Sequence, residues 1–381
     1  MLLSNSSEFP IGLDISDFSL KLVQLNKAGE SFSIQAINKI DLPAGVIDDG
    51  EIKNREELVK YLKNLIEKPK YGKISSHEVT ACLPENKTFV KLIEVDNGPN
   101  DLKETIMAEM EKHIPMPIDE IYFDWQIISK DQNKNLVLLG AAPRQIVDDY
   151  TNIFDELGLS VFALEIESSA ICRALLPEEG SRFKDGQQKN YAVLDIGAKR
   201  TSMILYAHKT ILFTVSLPIS GEAVTKNIAD NLKIDRDQAE RAKIICGLDE
   251  QKAEGVIREI LGSQINELVR KIKEIISYYE THFPGHGPIS SIYLCGGGAN
   301  IENIDKILAD SLGLQVALGD PLLNIKDNHE KINQLFSETY SLALSGDKKS
   351  QDDDMIYTQN SSLAFSTAIG LGLRGLFIDE L

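Results

Sequence analysis

YAVLDIGAKRTSMILY, Tyr191–Tyr206, decides the fold: an apolar run, an aspartate at Asp195, a sharp turn carrying Gly197, then a second alternating run. Alternation on both sides of a turn predicts a β-hairpin. IGLDISDFSLKLVQL, Ile11–Leu25, has the same layout, with Asp14 at the matching turn. A third segment, IYLCGGGANIENIDKIL at Ile292–Leu308, reads as a buried strand, three glycines and an amphipathic helix. Two such turns would aim backbone N–H groups at phosphate oxygens, and each aspartate would hold a Mg²⁺ through water. Gly296, Gly297 and Gly298 leave room for a nucleoside against their backbone. Each piece alone is common; their order along one chain points to a nucleotide clamp.

At 381 residues the chain is long enough for two domains. No run approaches the ~18–20 apolar residues that span a bilayer, and MLLSNSSEFP is too short and uncharged for a signal peptide, so a cytoplasmic location is expected. The net charge of −18 argues against nucleic acid, whose binding needs a basic surface, and against direct docking on an anionic leaflet. Any membrane association is expected to run through a protein partner, without insertion. Cys82, Cys172, Cys246 and Cys295 have neither metal-ligand nor disulfide-framework spacing and read as reduced thiols. His282 and His286 are separated by Pro284 and Gly285 and read as part of a loop.

Strands are predicted at Phe9–Asp14, Ser19–Asn26, Ser31–Lys39 and Glu78–Leu83, with a helix at Asn54–Glu67. A β-α-β-β-α-β unit follows: Thr88–Val95, Asp101–His113, Tyr122–Ser129, Asn135–Pro143, Arg144–Leu157 and Ser160–Glu165. It reads as an α+β insert in the first domain. Pro115 and Pro117 stop its first helix. A helix at Glu167–Leu176 returns to the first domain, and Leu176–Asn190 is polar and loop-like. Helices are expected at Ser220–Leu232, Asp235–Cys246 and Gly255–His282. Asn324–Asn360 reads as a polar loop containing GDKKSQDDDM, and LAFSTAIGLGLRGL, Leu363–Leu376, as a tightly packing helix.

With these segments in place, the chain resembles the PilM family of type IV pilus assembly proteins, in the actin-like ATPase superfamily and close to FtsA. The hairpins resemble that superfamily's two phosphate motifs and Ile292–Leu308 its adenosine motif. LEIESSAICRAL (Leu164–Leu175) and LAFSTAIGLGLRGL resemble its two connecting helices. DLKETIMAEMEKHIPMPIDEIYFDWQII, beginning at Asp101, is the most specific evidence: it resembles the inserted subdomain IC of PilM and FtsA. Gly221–Ile244 resembles their ribose-binding region.

The resemblance implies an α/β actin-like ATPase fold: two RNase H-like domains around a cleft for ATP and Mg²⁺, with an inserted α+β subdomain. Subdomain IA would span 9–83, completed by 166–186 and 361–381; IC 84–165; IIA 187–220 and 288–323; IIB 221–287. Asp14 and Asp195 would be the Mg²⁺-side carboxylates, Lys21 would reach a phosphate, Glu167 would orient water, and Glu240 and Lys243 would contact ribose. Gly197 keeps the second turn, and Gly296–Gly298 would line the adenosine side. Simpler roles are open: a solvated Lys21, a surface Glu240–Lys243 pair, and a helix-terminal acid at Glu167. Ser16 stands where the family usually has glycine. Its Cβ would restrict the turn, and Asp17 adds charge where phosphates would lie, at about 4 kcal/mol for a like pair at ~4 Å and a dielectric of ~20.

The family role implied is a cytoplasmic adaptor of the pilus inner-membrane complex. It would hold the N-terminal cytoplasmic tail of a PilN-like bitopic membrane protein in a groove near Ile114–Trp125, and link it to assembly motor ATPases or the platform protein. ATPase activity would be weak at most. The alternatives are an FtsA-like cell-division protein, disfavoured by the absence of a basic amphipathic stretch before Leu381, and a pilus scaffold with a degenerate cleft. A sugar or acetate kinase would lack the insert.

Overall fold

The computed structural model describes residues 9–28, 31–96, 102–114, 116–130, 134–177, 189–217, 219–325, 332–337 and 361–375. β1 (Ile11–Ser16) and β2 (Ser19–Ala28) form the first hairpin, with Asp14 opposite Lys21; β3 (Ser31–Asp41) continues the meander, with Lys39 opposite Lys21. Leu13, Ile15, Leu20 and Leu22 turn to the other face and enter a core. β4 (Ile47–Asp48) and β5 (Glu51–Ile52) make a ribbon whose turn, Asp49-Gly50, has both residues at positive φ. α1 (Arg55–Glu67) starts at Asn54, whose side chain accepts the Glu57 N–H, and buries Leu58, Leu62 and Leu65. β6 (Tyr71–Gly72) and β7 (Glu78–Leu83) follow.

β8 (Phe89–Asp96), α2 (Leu102–His113), β9 (Ile121–Lys130) and β10 (Lys134–Pro143) form the insert proper. Its sheet is ordered β8-β10-β9, and Ile93, Val95, Ile106, Met110, Val137 and Leu139 make its own core. The predicted insert, 84–165, is too long. α3 (Arg144–Glu156) sends Tyr150, Ile153 and Phe154 into the first domain's core. β11 (Ser160–Ile166) pairs parallel with β7, completing the sheet β11-β7-β1-β2-β3-β6 and covering an edge that would otherwise stay open.

α4 (Glu167–Leu175) leads to the second domain. There β12 (Asn190–Ile196), β13 (Thr201–Ala207) and β14 (Thr210–Leu217) repeat the meander of β1–β3. α5 (Gly221–Leu232) is capped by Ser220, and α6 (Arg236–Ile245) by a capping box of Asp235 and Gln238. α7 (Val256–His282) buries Ile257, Leu261, Ile265, Leu268 and Ile272 along one stripe. β15 (Ile289–Cys295), α8 (Ile304–Leu312) and β16 (Val316–Leu318) complete the sheet β14-β13-β12-β15-β16. Each domain thus has an antiparallel hairpin flanked by a parallel strand, β7 in one and β15 in the other.

GDKKSQDDDM lies outside the described residues. The polar-loop reading of 324–360 fails at 332–337, which is helical and buries Ile332 and Phe336, the latter ring 4.7 Å from Phe365. α9 (Ser366–Arg374) crosses α4 so closely at Gly370 that a Cβ there would overlap the Ala170 carbonyl oxygen. Buried Glu165 accepts hydrogen bonds from Arg173 at 2.9 and 3.1 Å and an ion pair from Arg374 at 2.9 Å, tying β11 to both helices. The core under α4 and α9 runs from Val23 and Leu25 of the first sheet to Leu194 and Ile196 of the second. These two helices therefore bridge the two domains.

Candidate functional site

The two hairpin turns face each other across a cavity of about 270 Å³. Asp14, Ser16, Lys21, Glu167, Asp195, Gly197, Gly296 and Gly297 all line it, although they come from both domains and from α4 between them. Gly298 lies buried behind them. Gly296 sits at φ +79, and Cβ atoms at Gly296 and Gly298 would collide with Asp195 and Ile196. Their lack of side chains thus first serves the fit of this loop against β12. Glu240 and Lys243 do not line the cavity. Lys243, 5% exposed, donates to Glu240 at 2.7 Å and to the Thr225 hydroxyl at 2.9 Å. This pair backs the second turn: Lys243 also reaches the Gly221 carbonyl at 3.4 Å, and the Gly221 N–H donates to Gly197 at 3.0 Å.

The first turn closes without a left-handed residue, so Ser16 causes no backbone strain. Its hydroxyl donates to the Ser19 carbonyl at 2.9 Å and thereby helps to close the turn. In the second turn the Gly197 N–H donates to Arg200 at 2.8 Å, and a Cβ on Gly197 would lie 2.8 Å from that same oxygen. Glycine is needed there for close approach.

Asp17 does not stand as a bare charge against the phosphate site. Lys199, from the second turn, lies 3.3 Å from it and also pairs with Asp48; Arg200 pairs with Asp49. The β4–β5 ribbon and both hairpin turns therefore close the cavity mouth by cross-domain ion pairs. Sequence reasoning missed Lys39, Asp41, Glu85, Lys199 and Arg200, all of which line the cavity. The adjacent Lys199 and Arg200 in the DIGAKRT turn were the available signal.

Carboxylates crowd the floor. Burial first, and then the charges of Asp195 and Asp14, push Glu167 well above the usual carboxylate range; the Thr367 hydroxyl donates to it at 3.3 Å. Burial pushes Asp195 up to about 6, partly offset by the Cys295 thiol, which donates at 3.5 Å. Glu85, also raised by burial, accepts the Ser168 N–H at 3.3 Å and so caps α4, whose N-cap Ile166 cannot. For Lys21, burial works to lower the pKa, but Asp14 at 2.8 Å outweighs it and holds it raised. Ligand atoms of Asp14, Glu167 and Cys82 lie within 4.8 Å of one another. A hard divalent cation suits this excess of carboxylate charge, with the thiol, itself pushed far up by burial, as a poor ligand.

This gives a pH prediction. The folded pKa of Asp195 lies above its ordinary 3.8, so between about pH 4 and 6 the folded chain binds more protons than the unfolded one. Stability from this group falls as pH rises through that window, by about 3 kcal/mol at ~1.4 per pH unit. Urea denaturation across the window should give a steeper fall for wild type than for Asp195→Asn. Mg²⁺ should stabilise wild type more at about pH 7.5 than at about pH 5.

A second cavity, about 490 Å³, lies between the insert and the first domain. The outer face of the β9–β10 pair supplies Tyr122, Gln126, Leu138 and Gly140, and Leu164 and Ile166 face them. Trp125 borders the groove and stacks on Phe123, ring centres 6.1 Å apart. Leu83 lines both cavities.

The family model described as type IV pilus assembly protein PilM matches residues 12–345. The chain belongs to the PilM family. A solved structure titled PilM-PilN type IV pilus biogenesis complex is similar over 96% of this chain and 98% of that one, at 22% identity and a TM-score of 0.75. MreB 5 of Spiroplasma citri bound to AMPPNP is similar over 84% and 94%, at 15% identity and a TM-score of 0.50. The fold is the actin-like ATPase fold. The cell division protein FtsA of Borreliella burgdorferi is 26% identical over 216 residues, 52% of each chain. The PilM-family chain thus spans about half the length of the first curated relatives it matches. No helix among its described residues is long and apolar enough to cross a membrane.

Proposed function

We propose that this PilM-family protein is a cytoplasmic adaptor that holds the N-terminal cytoplasmic tail of a PilN-like bitopic inner-membrane protein. It links that tail to the assembly motor ATPases or platform protein. The observation that carries the reading is the groove between the insert and the first domain: its apolar walls, Leu138, Leu164 and Ile166, suit an extended peptide or a short helix. Cytoplasmic segments beside a membrane span carry excess Lys and Arg, which complements the adaptor's charge of −18. The adaptor reaches the inner membrane through this partner.

The cleft binds ATP with Mg²⁺. Asp14 and Asp195 would hold the metal, which would neutralise phosphate charge, and Lys21 and the Gly197 turn would face the phosphates. The Glu240–Lys243 pair supports the Gly197 turn from behind. Glu167 would orient the attacking water, and its raised pKa, which keeps it protonated, is consistent with slow hydrolysis. Nucleotide favours one hinge angle, and Leu83, shared by both cavities, carries the change to the groove. The FtsA matches support a second reading, a cell-division protein that binds an FtsZ tail.

Co-purification tests the adaptor reading. Leu138 belongs to no core cluster, so Leu138→Arg should leave the fold intact while placing a charge in the groove. The PilN-like protein should accompany wild type and be lost from Leu138→Arg. Equal recovery with both would sink the groove assignment.

A further inference from the structure

The cleft face of the first sheet carries two polar rows. One is Asp14–Lys21–Lys39, across β1, β2 and β3; the other is Ser16–Ser19–Asp41, one pleat nearer the turn. Directly opposed residues share a face, so Lys39 presents its side chain on the same side as Lys21 and Asp14. All six residues line the cavity. Only β1 and β2 belong to the phosphate hairpin, so β3 extends the site by one strand.

We propose that Lys39 is a second phosphate-binding cation of the cleft, alongside Lys21. This rests on the reading of the cleft as a nucleotide site. The two lysines are placed differently. Lys21 is held 2.8 Å from Asp14, a carboxylate only 3% exposed. Lys39 is itself 6% exposed, but the Asp41 carboxylate it pairs with is 44% exposed and lies two residues along the same strand. Asp41 can therefore rotate into solvent without any backbone change and hand Lys39 to an incoming anion. A lysine is seldom this buried. Burial lowers its pKa, Asp41 only partly restores it, and Lys21 adds repulsion. A polyphosphate lying along the row would relieve both costs, since it offers negative charge to two ammonium groups at once. Asp41 is then a place-holder for phosphate.

The test is calorimetric titration of the full chain with ADP and with AMPPNP, in Mg²⁺, for wild type, Lys39→Met, Lys39→Arg, Asp41→Asn and the double variant. Lys39→Met keeps the length of the buried stem, and a melt without nucleotide verifies that it is folded. It should weaken both nucleotides about tenfold and flatten the salt dependence of binding; Lys39→Arg should restore most of the affinity. Asp41→Asn should tighten binding several-fold, and that gain should vanish when Lys39 is Met. Unchanged affinity in Lys39→Met, or an Asp41→Asn gain that persists without Lys39, overturns the proposal and leaves the pair a structural one. Failure of wild type to bind either nucleotide overturns the cleft reading itself, and this proposal with it.

Discussion

Asp14→Ala should destabilise the protein by about 3 kcal/mol or more and abolish nucleotide binding. Asp14 is 3% exposed and Lys21 9%, and they lie 2.8 Å apart. Removing the carboxylate leaves an ammonium in a site that water barely reaches, and breaking a buried pair costs ~3–5 kcal/mol for that reason. The Asp195 carboxylate nearby also favours the protonated lysine, which places the expected loss at the lower end. A paired variant separates the two roles. Asp14→Leu with Lys21→Met replaces both charges by apolar groups, so most of the stability should return. Nucleotide binding should not return, because both the proposed metal-side carboxylate and the proposed phosphate-side cation are gone. Urea midpoints with unchanged m-values give the first result and calorimetry the second. Full stability in Asp14→Ala would mean that the pair contributes nothing to the fold.

The crossing of α4 and α9 should be equally intolerant. Gly370→Val places a branched side chain where even a Cβ overlaps the Ala170 carbonyl oxygen. Both atoms belong to helix backbone, so neither can yield as a flexible side chain can. The helices must separate, opening the shared core and straining the hydrogen bond that Arg173 donates to the Gly370 carbonyl at 2.8 Å. Overpacking of a core costs ~1–3 kcal/mol, and a backbone clash at the crossing of two domains should exceed that range. Gly262, in α7, is the contrast: nothing lies within 4 Å of its missing Cβ, so Gly262→Ala should stabilise by about 1 kcal/mol. Melting curves of the two variants should move in opposite directions; a Gly370→Val protein that melts like wild type would show that α4 and α9 are not as closely packed as described.

Both hairpins were legible because alternation and turn residues are local signals, and Asp14, Lys21, Asp195 and Gly197 sit within them. What escaped was decided at a distance. Nothing in SVFALEI states whether β11 joins the insert's sheet or the open edge of β7; the burial of Tyr150, Ile153 and Phe154 decides it. Lys39 and Asp41 join the cleft only because β3 lies beside β2, a pairing that local sequence does not state. Lys199 and Arg200 were visible as adjacent cations in the second turn, but their partners Asp17, Asp48 and Asp49 emerge only in the folded chain. The Glu240–Lys243 pair shows the converse: its helical spacing was readable, but its place behind the turn was not.

The measurement that bears most directly on the adaptor reading is a calorimetric titration with a synthetic peptide, the N-terminal cytoplasmic tail of the PilN-like protein from the same genome. An FtsZ C-terminal tail serves as control. The account predicts saturable binding of the PilN-like tail, at least a hundredfold weaker in Leu138→Arg, and none of the FtsZ tail. Absence of binding to the first peptide, or binding to the FtsZ tail alone, would contradict it.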